Sequence, residues 1–78
     1  MEGMKEHTYT VIYEHGPTSW GAYVPDLPGC ITVGDSREEV ERGIQEAIEG
    51  HIAAMIEAGY PVPEPSSEAG VVTIASAA

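Results

Sequence analysis

Alternating polarity comes first along this chain, and helical spacing follows it. From Thr8 to Glu14, Tyr9, Val11 and Tyr13 fall on one side and Thr8, Thr10, Ile12 and Glu14 on the other. A period of two in β-branched and aromatic residues predicts a half-buried strand. His15-Gly16-Pro17-Thr18-Ser19 supplies a turn, after which Trp20, Ala22 and Val24 alternate with Gly21 and Tyr23 as the returning strand of a hairpin. Gly21 inside that strand predicts a bulge or a close backbone approach. Pro25 and Pro28 then hold Val24 and Leu27 in β or polyproline geometry, so Val24 to Gly29 is a stiff corner. Cys30 to Val33 re-enters a short third strand. Links this short permit antiparallel pairing and exclude parallel crossovers.

At Asp35 the period changes. Ser36 is placed to cap a helix and Glu39, three residues on, to close a capping box, with Glu38 and Glu39 at its positive end. Val40, Ile44, Ala47, Ile48, His51, Ile52 and Met55 recur at steps of three and four, and Gly59 stands where a C-terminal cap belongs. The predicted helix is about 33 Å long at about 1.5 Å per residue, longer than any of the strands it would cover. Beside its apolar face lies a stripe of small residues, Gly43, Ala47, Gly50 and Ala54, which predicts close packing by the sheet or by another subunit. Pro61, Pro63 and Pro65 force a stiff, extended return path, Ser66 to Gly70 reads as a flexible polar link, and Val71 to Ala75 reads as a late fourth strand. The fold class is α+β, in the order β-β-β-α-β, an antiparallel sheet covered on one face by a single long helix. Residues 7–75 make one domain between flexible termini at 1–6 and 76–78.

Charge and chemistry narrow the function. Among 78 residues, thirteen acids stand against Lys5, Arg37 and Arg42, a formal net charge of -10. That balance opposes binding to a phosphate backbone and favours a basic protein partner. A chain this short buries a small core, so self-association into a dimer or larger homo-oligomer is expected. The lone Cys30 has no internal disulfide partner and sits in an apolar run, the setting of a buried thiol. With no basic, apolar leader and no apolar stretch of membrane-spanning length, the expectation is a cytoplasmic protein without membrane contact. No catalytic, metal-binding or cofactor-binding set emerges: Asp26 and Asp35 lie in connections, and His7, His15 and His51 lie in three different elements. The structural loop is assigned to Pro25, Asp26, Pro28, Gly29 and Gly34, and the helix cap to Ser36 and Glu39. Candidate partner contacts are Trp20, Asp26, Glu38, Glu41 and Glu49, with Trp20 more simply a core-rim residue and Asp26 first a corner residue.

Val24-Pro25-Asp26-Leu27-Pro28-Gly29-Cys30, then Thr32, Gly34-Asp35-Ser36, Glu38-Glu39, Glu46-Ala47-Ile48, Gly59 and Pro61-Val62-Pro63-Glu64-Pro65, in this order and spacing, resemble the signature of the HicB-like antitoxin family. The resemblance runs from Tyr9 to Ala75. It implies a partial ribonuclease H fold and a non-enzymatic antitoxin that neutralises HicA, a small basic toxin with a double-stranded-RNA-binding fold that cleaves messenger RNA using a histidine. Many members of the family continue into a DNA-binding module. The few residues after Ile74 are too few for one, so direct nucleic-acid binding is not expected of this chain. Two other readings stay open on sequence: an orphan structural or adaptor domain that oligomerises without a toxin, and a metal-assisted hydrolase remnant in which Asp26, Asp35 and helix glutamates would cluster.

Overall fold

The corner at Val24 to Cys30 sets the architecture because its backbone is closed by two successive turns. The Leu27 N–H donates to the Val24 carbonyl at 3.1 Å and the Cys30 N–H to the Leu27 carbonyl at 3.0 Å. In the second turn Gly29 has φ +86°, so Pro28 and Gly29 occupy the two central positions that a type II turn reserves for them. In the computed structural model, which describes residues 6–77, this corner joins β2 (Trp20–Tyr23) to β3 (Ile31–Gly34), and β1 (Ile12–His15) precedes both. The sheet order is β1-β2-β3, antiparallel throughout. Its register places Ile12 opposite Tyr23 and Tyr23 opposite Ile31, and it runs through Gly21 without a bulge.

The expected first strand begins four residues earlier than the observed one. β2 turns away after Tyr23, which pairs with Ile12, so residues 8–11 have no strand left to pair with. Their apolar side chains keep the orientation that the alternation predicts, since Tyr9 and Val11 join Tyr13 and Trp20 against the buried core.

The helix α1 (Arg37–Ala58) has the predicted ends. Ser36 Oγ accepts from the Glu39 N–H at 3.1 Å, while Glu39 Oε1 accepts from the Asp35 N–H at 3.3 Å. The reciprocal arm of the capping box therefore lands one residue upstream of the cap. Gly59 closes the other end at φ +81°, with its N–H on the Ile56 carbonyl and the Tyr60 N–H on the Met55 carbonyl, the paired bonds of a Schellman motif. The helix lies mainly over β3 and β2. Ala22, Val24, Leu27, Cys30, Val40 and Ile44 form the buried centre. Burial drives the Cys30 thiol pKa upward, as expected of an inert core thiol.

The small-residue stripe is used only in part. A Cβ on Gly43 would stand 2.7 Å from Thr32 Oγ1, whereas one on Gly50 would meet nothing within 4 Å. Ala47 packs on the core and Ala54 is exposed. The sheet thus accounts for close packing at Gly43 and Ala47, and α1 runs on past it.

The late strand read at Val71 to Ala75 needs correction. In the single chain this segment joins no ladder, and Val71, Val72 and Ile74 are 94%, 80% and 76% exposed. Strand-forming composition describes side chains suited to a pleated, half-buried surface, and it yields a strand only where a sheet edge lies alongside. The chain's own edges do not.

Candidate functional site

Two places in the fold gather the residues singled out from the sequence. The first is a clasp beneath the corner. Asp26 Oδ2 accepts from the Ser66 and Ser67 N–H groups at 2.9 and 3.0 Å, and Oδ1 accepts from their hydroxyls at 3.1 and 2.8 Å. Both carboxylate oxygens are thereby engaged within the chain. These bonds, the Ser66 N–H first, lower the Asp26 pKa from 3.8 to about 2. Two further bonds fasten the same strap: Tyr9 OH donates to the Pro63 carbonyl at 2.6 Å and Thr10 Oγ1 to the Ser67 carbonyl at 2.7 Å. What reads as a flexible link is therefore fixed at Ser66 and Ser67. The sequence holds a weak sign of this in two adjacent serines, but their partner lies about forty residues away and nothing local identifies it.

The second place is an open cleft of about 430 Å³ between the β1 side of the sheet and α1. Its floor is apolar, made by Tyr9, Val11, Tyr13, Ile44 and Ile48, and Glu41 and Glu49 stand among its walls. Glu38, Glu41, Gln45 and Glu49 follow one another at steps of three, four and four, which places them along one side of the helix. All four are exposed. At the start of this ridge Arg37 is held over the Tyr13 ring, 3.8 Å from its centroid, with the Trp20 ring at 6.0 Å. Arg37 Nε also lies 3.2 Å from Glu41 Oε2, an exposed pair that adds little stability but fixes the arginine's direction. Trp20 stacks on His15 at 4.2 Å and is half-buried.

The structure therefore brings together Glu41, Glu49 and, through Arg37 and Tyr13, Trp20. Glu38 precedes Glu41 by three residues and so lies along the same side of α1 as Glu41 and Glu49. Asp26 is apart from them, beyond the opposite end of β2. Asp26 and Asp35 likewise lie past opposite ends of β3, so the acids that a hydrolase remnant would need to cluster are separated. Among the described residues no group of three or more His, Cys, Asp or Glu side chains could hold a metal ion. Nor is any described helix long and apolar enough to cross a membrane. The arrangement suits protein recognition: an apolar floor bordered by carboxylates that offer acceptors and negative charge to a basic surface.

Comparison with known proteins gives consistent matches. A family model described as the HicB-like antitoxin of bacterial toxin-antitoxin systems matches residues 9–75. "Antitoxin HicB 2" of Photorhabdus laumondii is 37% identical over 64 residues, 82% of this chain and 46% of that protein. A UPF0150 protein of Synechocystis is 39% identical over 59 residues, covering 74% of this chain and 75% of its own. The chain thus spans about half the length of the Photorhabdus relative and three quarters of the Synechocystis one. Among solved structures, a chain of a "HicA3 and HicB3 toxin-antitoxin complex" superposes with a TM-score of 0.65 at 27% identity, covering 77% of this chain and 70% of that one.

Proposed function

The chain belongs to the HicB-like antitoxin family of bacterial toxin-antitoxin systems, and from that premise we propose that it binds and neutralises a small basic toxin of the HicA type in the cytoplasm. The observation that carries the proposal is the alignment of Glu38, Glu41 and Glu49 on one exposed side of α1 in a chain of net charge -10. A protein that grips RNA needs a basic surface, and a row of carboxylates competes for that surface. Long-range attraction brings the two together, and the apolar cleft floor beside the ridge supplies contact area that charge alone does not. The partial ribonuclease H architecture implied by the resemblance belongs to this reading as a frame for binding. Tyr9, Val11 and Tyr13, the core-facing residues of β1 and of the segment leading into it, include no acid, where a nuclease of that fold would place a metal ligand.

Co-expression of the full chain with a HicA-type toxin tests the proposal. The expected result is a complex that co-purifies and restores growth, with E38K/E41K/E49K abolishing both while the variant remains folded by circular dichroism. A toxin that neither co-purifies with the unaltered chain nor loses its RNA-cleaving activity overturns it.

A further inference from the structure

Given the toxin-binding reading, on which this rests, we infer that the cleft takes one arginine side chain of the toxin, with its guanidinium between the His7 ring and the Glu49 carboxylate. His7 is then a specificity-determining residue, while the rest of the acidic ridge attracts the toxin without selecting a side chain.

The two ends of the cleft are built from the same parts, with one difference. Tyr13 marks one end, under Arg37. His7, Tyr9, Val11 and Tyr13 all line the cleft, the alternation of an extended chain, so at about 3.3 Å per residue His7 lies about 20 Å back from Tyr13. Along α1, Glu49 lies about 18 Å on from Arg37 at about 1.5 Å per residue. His7 and Glu49 therefore come to the same end, away from Arg37, and both line the cleft there. At the Tyr13 end the chain supplies its own cation: Arg37 sits 3.8 Å from the ring centroid and pairs with Glu41 at 3.2 Å. At the His7 end an aromatic wall and a helix glutamate recur, but among the described residues no cation pairs with Glu49.

A second observation is independent of charge. Among the described residues, His7 Nδ1 is buried with no hydrogen-bond partner. With the ring proton on Nε2, Nδ1 is an acceptor, and an incoming N–H group relieves the penalty of leaving it unmade. The ring is also held in place. It stacks on Tyr9 at 5.9 Å between centroids and 12° between planes, and the Tyr9 hydroxyl is tied to the Pro63 carbonyl. The site thus offers a positioned acceptor, an aromatic face and a carboxylate. A guanidinium answers all three, because it is planar, stacks on rings and spreads five N–H donors in a fork. Its aliphatic stem packs on the apolar floor at Val11 and Ile48. An ammonium, a compact point charge, stacks less well and spans two acceptors poorly.

Calorimetric titration of the full chain with a HicA-type toxin, arranged as double-mutant cycles, tests this. H7F keeps a ring beside Tyr9 and removes the acceptor, and E49Q keeps the shape and removes the charge. Each is expected to weaken binding about tenfold with unchanged circular dichroism. Among arginine-to-lysine variants of the toxin, one is expected to weaken binding by a similar factor and to lose nothing further when paired with H7F. The Nδ1 nitrogen resonance of His7 reads the same contact in the unaltered chain, and is expected to move on complex formation with the unaltered toxin but not with that toxin variant. Full affinity in H7F, toxin arginine losses that all add independently to that of H7F, or an Nδ1 resonance that does not respond, overturns the arginine site and leaves the toxin-binding reading standing. A toxin that does not bind the unaltered chain overturns both.

Discussion

Asp26 shows how one side chain ties together segments that are remote in sequence. Its four hydrogen bonds to Ser66 and Ser67 all require the ionised carboxylate or are strengthened by it. Its pKa is lowered in the folded chain, from 3.8 to about 2, so the folded state binds the proton less readily than the unfolded one. The clasp's contribution to stability is therefore complete above 3.8 and disappears as the pH falls through about 2. We expect the Ser66 and Ser67 amide resonances to titrate with a midpoint near 2, and the difference in Tm between the unaltered chain and D26A to be largest above pH 4 and to shrink as the pH falls through about 2. A midpoint at the unperturbed 3.8 would show the clasp to be open in solution.

At the scale of elements, the glycines of α1 offer a matched pair. Gly43 faces Thr32 so closely that a Cβ would lie 2.7 Å from Oγ1 and within 3.5 Å of Thr32 Cγ2 and Cβ. Relief would require Thr32 to leave its present rotamer or the helix to move off the sheet. G43A is accordingly expected to destabilise by about 1–2 kcal/mol, overpacking outweighing the gain in helix propensity. G50A, with open space around it, is expected to stabilise by about 0.5–1 kcal/mol. Urea unfolding of the two variants reads both signs, and a stabilising G43A would contradict the close helix–sheet contact.

Much of this level was legible in the sequence. The capping residues Ser36 and Glu39, the Gly59 terminus and the Pro28-Gly29 turn are local devices, encoded within a few residues of where they act. The pairing length of β1 was not, because it depends on where β2 turns away. The clasp between Asp26 and the two serines was hidden for a similar reason, since a carboxylate in a corner and serines in a linker each look solvent-facing until the chain folds. Of the candidate site, the acidic ridge follows from helical spacing. The cleft beside it arises only from the way α1 leans toward β3.

For the whole molecule, the decisive property is the joining of a strongly negative field to one ordered row of acids. Net charge alone would speed encounter with any basic macromolecule and hold none of them in register. On the proposed function, Glu38, Glu41 and Glu49, set along one side of the helix beside the apolar cleft, would give that attraction a place and a direction. The most direct measurement of this claim is calorimetric titration of the full chain with a HicA-type toxin at low and high salt, beside E38K/E41K/E49K and, as a control on the other side of α1, E46K/E57K. The account predicts binding that weakens with salt and falls by at least about a hundredfold in the ridge variant but by less than about tenfold in the control. Equal losses in the two variants, or binding insensitive to both, would contradict it.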